Sequence, residues 1–490
     1  ILITAIINFN DWLFVKYGVN LALTIASTAQ KVFLTHYIEK DIKVHKNDLY
    51  FRDSYYGGRT EVLTGRNKYN YPAYYYDFNS LYPSVMIEEK YPDPGNLKYL
   101  NSLNTSERYI KEYEGVSKVT VKVPKTIWYP PLPVKKDEKL IFPVGVFTGS
   151  YNHNELRVAI EYGVKILKIH HTIYSENYVN YFEKYIRDMY ELRDIAKLNK
   201  NDMDNTKTKL LMNALYGKFA QKMEKSEQGF IFDKPELKKQ YEENYKWVFD
   251  AYKETDAGVW KLCDKKTNKV LEEDAKNDII CFASYTTSGA RIKLFKAVQD
   301  AIKKGGKVYY TDTDSVITNV ELPNSKKLGD LKLEEYGIIY PKAPKVYKFY
   351  NFENEKEVLN AMKNIKSIKP SEIKLKGVSK KAIDPEKGIE SEYKVTKIVR
   401  VKEALRRNLK AGNSMEVIKK MNYQDSKRVW KGSESKPIFI EENKEKNKIK
   451  NMLKNQKIET KKLSKDKKER KQKINKNVEY LKQLSEKLSS

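Results

Sequence analysis

Ten residues constrain this chain more than any others: Val308-Tyr309-Tyr310-Thr311-Asp312-Thr313-Asp314-Ser315-Val316-Ile317. β-Forming residues flank Asp-Thr-Asp on both sides, which predicts a hairpin with its carboxylates at or near the turn. Residues two apart in an extended chain face the same way, so Asp312 and Asp314 are expected to converge. Carboxylates side by side repel unless a hard cation lies between them. A bare Asp-x-Asp is an ordinary polar turn. Framed by two apolar strands, it reads as a cation-binding element.

A third carboxylate stands in Tyr76-Asp77-Phe78-Asn79-Ser80-Leu81-Tyr82-Pro83. Tyr74, Tyr75 and Tyr76 lead in as a strand, and Pro83 opens a helix or turn. An aspartate ending a buried strand can meet Asp312 in an adjacent one; read alone, it could equally be a helix N-cap. The third block is Lys209-Leu210-Leu211-Met212-Asn213-Ala214-Leu215-Tyr216-Gly217. Lys209, Asn213 and Tyr216 stand at i, i+4 and i+7 and share a helix face. A cation, an amide and a ring on one face suit a nucleoside triphosphate, and Gly217 lets a backbone approach closely. This helix is expected over about 206–222, with Leu210, Leu211, Ala214, Leu215 and Phe219 inward. Steps of three and four from Val179 to Ile195 predict an amphipathic helix before it, packed antiparallel. Val119, Val121 and Val123 predict a strand ending at Pro124. Asn152-His153-Asn154-Glu155 has the form of a capping box for a short helix ended by Gly163, and a strand is expected from Val164 to Tyr174.

Together the three blocks resemble the polymerase motifs of family B DNA polymerases: Asp-x-x-Ser-Leu-Tyr-Pro, Lys-x-x-x-Asn-x-x-Tyr-Gly and Tyr-x-Asp-Thr-Asp-Ser, in the family's order. Ala214 departs from the family's usual Ser. Further blocks resemble the protein-primed branch, found in linear plasmids of fungal and plant mitochondria, some phages and adenoviruses. Tyr55-Tyr56-Gly57-Gly58 looks like its Tyr-x-Gly-Gly motif, Thr287 to Arg291 its Thr-x-x-x-Arg motif, and Lys345-Val346-Tyr347 its Lys-x-Tyr motif.

The resemblance implies an α+β right-hand architecture with an antiparallel palm sheet and two insertions. Residues 1–50 would be the residual end of an exonuclease domain and a linker; they contain no Asp-x-Glu, so no 3′–5′ exonuclease is expected of them. Residues 51–90 and 281–350 would be palm, 91–176 an insertion contacting a priming protein, 177–222 fingers, 223–280 a second insertion for processivity and strand displacement, and 351–440 thumb. The resemblance also implies catalytic residues Asp77, Asp312 and Asp314, with Asp77 and Asp312 as direct ligands of two Mg²⁺ ions and Asp314 third in rank. Tyr82 would lie under the incoming sugar and exclude a 2′-hydroxyl. Lys209, Asn213, Tyr216, Gly217 and Lys197 would bind the nucleotide. Tyr55, Gly57, Gly58, Thr287, Arg291, Lys345 and Tyr347 would meet DNA, with Lys345 and Tyr347 side by side on one face of a strand. The implied partners are a DNA template-primer, dNTPs and a terminal priming protein.

Composition agrees with polyanionic partners. The 490 residues carry 93 Lys and Arg against 65 Asp and Glu, a formal charge of +28. Residues 441–490 hold 17 basic and 8 acidic side chains and read as a basic low-complexity tail. Cys263 and Cys281 are too few for a disulfide scaffold. No apolar run is clean enough for a membrane span. Abundant Lys, Asn, Ile and Tyr have AT-rich codons, which hints at an organellar or mobile element and hence a mitochondrial address. Asp-Thr-Asp together with Tyr82 argues against an RNA-templated or RNA-making enzyme. A decayed chain that only binds nucleic acid is the reading of another class.

Overall fold

The computed structural model describes residues 2–224, 226–230, 245–251, 257–267, 269–274, 278–379, 382–383, 389, 392–399, 412–420, 423 and 425–441. The basic tail expected over 441–490 lies outside them apart from its first residue, as does part of the second insertion. In chain order the helices are α1 (Leu2–Tyr17), α2 (Ile25–Val32), α3 (Leu81–Glu88), α4 (Glu107–Glu112), α5 (His153–Glu161), α6 (Phe182–Leu198), α7 (Asp202–Lys218), α8 (Ile280–Lys303) and α9 (Glu355–Lys363). The strands that position the site are β1 (Thr60–Val62), β2 (Asn70–Phe78), β3 (Lys98–Asn101), β4 (Glu114–Val123), β5 (Val144–Asn152), β6 (Lys165–Ser175), β7 (Val308–Asp312), β8 (Ser315–Thr318), β9 (Leu331–Ala343), β10 (Val346–Asn351), β11 (Glu372–Lys374), β12 (Arg428–Lys431), β13 (Glu434–Pro437) and β14 (Phe439–Ile440). Among the described residues no helix is long and apolar enough to cross a membrane.

Seven strands form one antiparallel sheet in the order β1-β7-β8-β2-β9-β10-β11. The run Tyr74-Tyr75-Tyr76 sits at its centre because aromatic residues fit a pleated surface covered on both sides. Tyr76, Val316, Val308, Leu294 and Val298 pack together on the face covered by α8. Tyr310, Ile317, Ile339, Tyr347 and Phe349 fill the other face, leaving its Asp77 end open. The helix α8 is buried nearly all round, between this sheet and the layer built from the first insertion. Asp48 caps it from a distant 3-10 segment (Lys46–Ser54): its carboxylate accepts from the Ile280 and Cys281 N–H groups at 2.6 and 2.9 Å. That satisfies two of the orphan donors of a helix start.

The region expected as the first insertion, 91–176, supplies four strands of a five-stranded sheet, order β14-β5-β4-β6-β3, whose edge strand β14 comes from residues 439–440. Val119, Val121 and Val123 alternate inward as expected and meet Phe147, Tyr151 and Leu156. The capping box does not form. The Asn152 side chain is drawn into a buried network with Ser54, Ser284 and Ser288, and Glu155 is taken by Arg291. Tertiary partners outcompete the local cap here, because α5 is buried against α8.

The helices α6 and α7 pack as an antiparallel pair, joined where Tyr185 OH donates to the Leu211 carbonyl at 2.9 Å. Asn201 caps α7 by accepting from the Asp204 N–H, and Asp202 and Asp204 complement its N-terminal dipole. Leu211, Met212 and Leu215 face inward, but Leu210, expected in the core, is 45% exposed. Phe33 stacks on Phe182, and Phe219 and Phe282 meet them edge-to-face at the base of this pair, anchoring it to α8 and the N-terminal segment. The hairpin β12–β13 returns to the large sheet. Its Arg428 is buried, donating to Ser435 Oγ at 2.7 Å and the Trp128 carbonyl at 3.0 Å, and lies 3.6 Å from Glu61. The strand β14 then pairs in parallel with β5.

Candidate active site

The register of the large sheet brings the carboxylates together. Thr60 pairs with Asp312, Asp312 with Ser315, Ser315 with Asp77, and Asp77 with Lys332. Directly opposed residues share a face, so these five side chains form one row across the strand ends. Asp77 and Asp312 stand two strand spacings apart, about 9–10 Å. The tight turn of the hairpin, with Thr313 at φ +61, sets Asp314 beside them. The turn closes with the Asp314 N–H donating to the Asp312 carbonyl, and the Phe78 N–H donates to the Asp314 carbonyl at 2.8 Å.

Their surroundings distinguish the three. Burial, then the Asp314 charge, pushes Asp77 up to about 7. Asp314 is itself raised by burial and by Asp312, and lowered by Lys345 and Lys374. Asp312 is engaged already: Thr60 Oγ1 donates to its Oδ1 at 2.8 Å, and Lys345 Nζ lies 3.2 Å from the same oxygen. Asp77 and Asp314 line a cleft of about 630 Å³, and Asp312 does not. The pair presented to the cleft is therefore Asp77 with Asp314, not Asp77 with Asp312 as the resemblance implied. Spacing puts the two hairpin carboxylates together but cannot say which of them a lysine from another turn will hold.

The rest of the cleft comes from the helix pair. Lys209, Asn213 and Tyr216 face it together, and Lys197 comes from the opposing helix. Lys209 makes no ion pair among the described residues, whereas Lys197 is paired with Asp194 at 2.7 Å. Tyr82 stacks on Tyr216, with ring centroids 4.4 Å apart and planes 20° from parallel. Nothing lies within 4 Å of a Cβ built on Gly217. Arg193, one turn before Lys197, also lines the cleft and bridges the two halves: its Nη1 donates to Ser80 Oγ at 3.1 Å and its Nε to Asn205 Oδ1 at 3.2 Å. Lys326 and Lys332 line the opposite rim. These two have no spacing signal in the sequence, because a loop and an adjacent strand deliver them.

The residues expected to meet DNA divide. Arg291 is buried; its Nε and Nη2 donate to Glu155 at 2.8 and 2.9 Å, and its Nη1 to the Tyr56 and Gly57 carbonyls at 2.6 and 3.3 Å. Thr287 is buried and donates to the Ser284 carbonyl. Neither presents a group to a nucleic-acid backbone; Arg291 instead holds the Tyr-Tyr-Gly-Gly loop. Gly58 of that loop abuts the hairpin turn, where an added Cβ would come within 2.7 Å of the Thr313 side chain. No atom lies within 4 Å of a Cβ built on Gly57. Tyr55 is half-buried and lines a second, basic cleft. Tyr347 is 2% exposed, in the sheet core against Tyr310. Lys345 does not sit on a strand with it but in the turn before β10, at φ +63.

The match to known proteins agrees with this geometry. A family model described as DNA polymerase type B, organellar and viral, matches residues 2–310. The chain belongs to that family. Among type B polymerases it is similar to the probable DNA polymerase of Podospora anserina, 29% identical over 423 residues, covering 79% of this chain and 33% of that protein. It is similar to the DNA-directed DNA polymerase of Enterobacteria phage PRD1, 27% identical over 294 residues, 58% of this chain and 47% of the phage protein. It thus spans a third to a half of these relatives' length. Phi29 DNA polymerase in complex with primer-template DNA and incoming nucleotide is similar in fold, with a TM-score of 0.58 and 18% identity over 84% of this chain and 69% of that one. The fold is the right-hand polymerase fold, and the seven-stranded antiparallel sheet is its palm.

Proposed function

We propose that this chain carries out DNA-templated DNA synthesis, adding deoxynucleotides to a primer 3′-hydroxyl, within protein-primed replication of a linear mitochondrial element. The observation that carries the polymerase reading is the convergence of Asp77 and Asp314 at one end of a cleft whose other walls are Lys209, Lys197, Arg193 and the Tyr82–Tyr216 stack. Membership of the type B family and the Phi29-like fold support it. The priming protein and the linear element rest on the sequence resemblance, and the mitochondrial address on that and on the abundance of residues with AT-rich codons.

Two cleft carboxylates held above their ordinary proton affinity, Asp77 by burial and the Asp314 charge and Asp314 by burial and the Asp312 charge, fit Mg²⁺, which takes one or two carboxylates and completes its shell with substrate phosphates and water. Asp77 and Asp314 would hold the ions, which when bound supply charge neutralisation and acidify the primer hydroxyl. Asp312 would act through the hairpin, its charge balanced by Lys345. Lys209, Lys197 and Arg193 would hold the triphosphate in line with the hydroxyl, and positioning of this kind accounts for much of the rate. Tyr82, braced by Tyr216, would leave no room for a 2′-hydroxyl. The test is direct: purified chain, primed template, labelled dNTPs and Mg²⁺. Template-directed extension is expected, and DNA binding without extension would leave only the decayed-remnant reading.

A further inference from the structure

The open face of the five-stranded sheet is built like a nucleic-acid platform. Lys118, Thr120 and Lys122 alternate outward from β4. Across from them on β6 stand His171, Lys168 and Lys165, directly opposed in register. The Lys122–Lys165 pairing sets like charges opposite one another, which costs stability in the free protein and is relieved by an anion. Lys118, Lys122, Lys165 and Lys168 make no ion pair among the described residues. His171 is held below its ordinary value by burial and by the Lys118 and His170 charges.

Rings lie beside the cations. Tyr99 stacks on His171 at 5.9 Å, and Tyr50 meets both, at 5.7 Å from Tyr99 and 5.2 Å from His171. Tyr99 and Tyr50 are 47% and 38% exposed. Lys118 also lines the neighbouring cleft, about 660 Å³, with Tyr55, Tyr56, Lys135 and Lys222; Asp53 is the one carboxylate among its lining residues. That cleft leads to the Tyr-Tyr-Gly-Gly loop, whose Gly58 touches the catalytic hairpin turn.

We propose that this sheet face and the adjoining cleft bind single-stranded nucleic acid, leading an unpaired strand toward the catalytic hairpin. Cations spaced along a groove match a phosphate backbone, and exposed rings reward bases whose faces are free, which a duplex does not offer. The proposal rests on the polymerase reading for its strand but not for its test, which is a binding measurement that works even if the chain does not extend primers. The probe is fluorescein-labelled oligothymidylate, titrated at several salt concentrations, with a blunt duplex in parallel. Lys118→Glu/Lys168→Glu should weaken single-strand binding at least tenfold at moderate salt. Its log K against log salt slope should flatten by about 1.4, at roughly 0.7 per phosphate contact. The duplex should be affected much less. Tyr99→Ala should weaken single-strand binding several-fold at an unchanged slope. All three side chains are exposed, so fold is retained, and near-parental thermal unfolding checks it. Unchanged single-strand affinity and slope in the double variant would overturn the proposal. So would an equal loss on blunt duplex, or normal single-strand binding with loss of initiation on an acidic protein primer, which would make the face a protein dock.

Discussion

Replacing Arg291 by Met separates two readings of the same residue. In the sequence Arg291 belongs to a motif expected to touch DNA. In the structure it is buried with Glu155, each side chain 3% exposed, and its guanidinium makes four hydrogen bonds, two to the carboxylate and two to the carbonyls of Tyr56 and Gly57. Arg291→Met leaves Glu155 as an unpaired buried charge and releases the loop that braces the hairpin turn. Breaking a buried pair from one side costs about 3–5 kcal/mol, whereas replacing both partners by apolar groups of similar size is often neutral. We therefore expect Arg291→Met to lower the urea midpoint by an amount equivalent to about 3–5 kcal/mol. Adding Glu155→Leu should recover most of it. Chemical denaturation followed by fluorescence reads both, with duplex affinity measured under native conditions. If Arg291→Met keeps parental stability while DNA affinity falls and the salt slope flattens by about 0.9, the arginine contacts a phosphate and its structural assignment is wrong.

Three further outcomes follow from local geometry. Gly58→Ala should slow nucleotide addition by roughly 10²-fold with the fold intact, because the new methyl displaces Thr313 and with it Asp314; adding Thr313→Gly should restore part of the rate, and single-turnover extension measures it. Tyr82→Val should raise ribonucleotide incorporation relative to deoxynucleotide; an unchanged ratio would mean that the ring only packs on Tyr216. His153 is buried, with its proton affinity pushed down to about 3 by burial. The unfolded chain therefore binds more protons between about 6.5 and 3, and folding stability falls as pH falls through that window, by about 2 kcal/mol at pH 5. Glu89, raised to about 7 mainly by burial, gives the opposite slope from about 7 to 4.5. The comparison is therefore between parent and His153→Asn, whose urea midpoint should show the smaller loss on acidification.

Much of the candidate site's geometry is legible in the sequence because it is local. The spacing of Lys209, Asn213 and Tyr216 fixes a shared face whatever the helix packs against, and the hairpin around Asp312 and Asp314 follows from apolar runs flanking a polar turn. What escapes is set by partners distant in the chain. Lys345 takes Asp312 from a turn 33 residues on, which leaves Asp314 for the cleft. Glu155 takes Arg291 across 136 residues, turning an apparent DNA contact into a brace. The same long-range competition undoes the capping box at Asn152. Lys326, Lys332 and the return of the hairpin 428–437 to the palm carry no periodic signal, so only the fold reveals them.

The central claim is that Asp77 and Asp314 are the carboxylates that serve catalysis in the cleft. Single-turnover primer extension by Asp77→Asn, Asp314→Asn and Asp312→Asn, each at saturating DNA and dNTP with DNA affinity measured separately, tests it. We expect Asp77→Asn and Asp314→Asn to lose at least ~10³ in rate while binding DNA normally, since each removes an essential charge from the transition state. Asp312→Asn, whose partner is Lys345, should retain clearly more activity than either. Near-parental rates in Asp77→Asn or Asp314→Asn, or an Asp312→Asn variant more disabled than Asp314→Asn, would contradict the assignment.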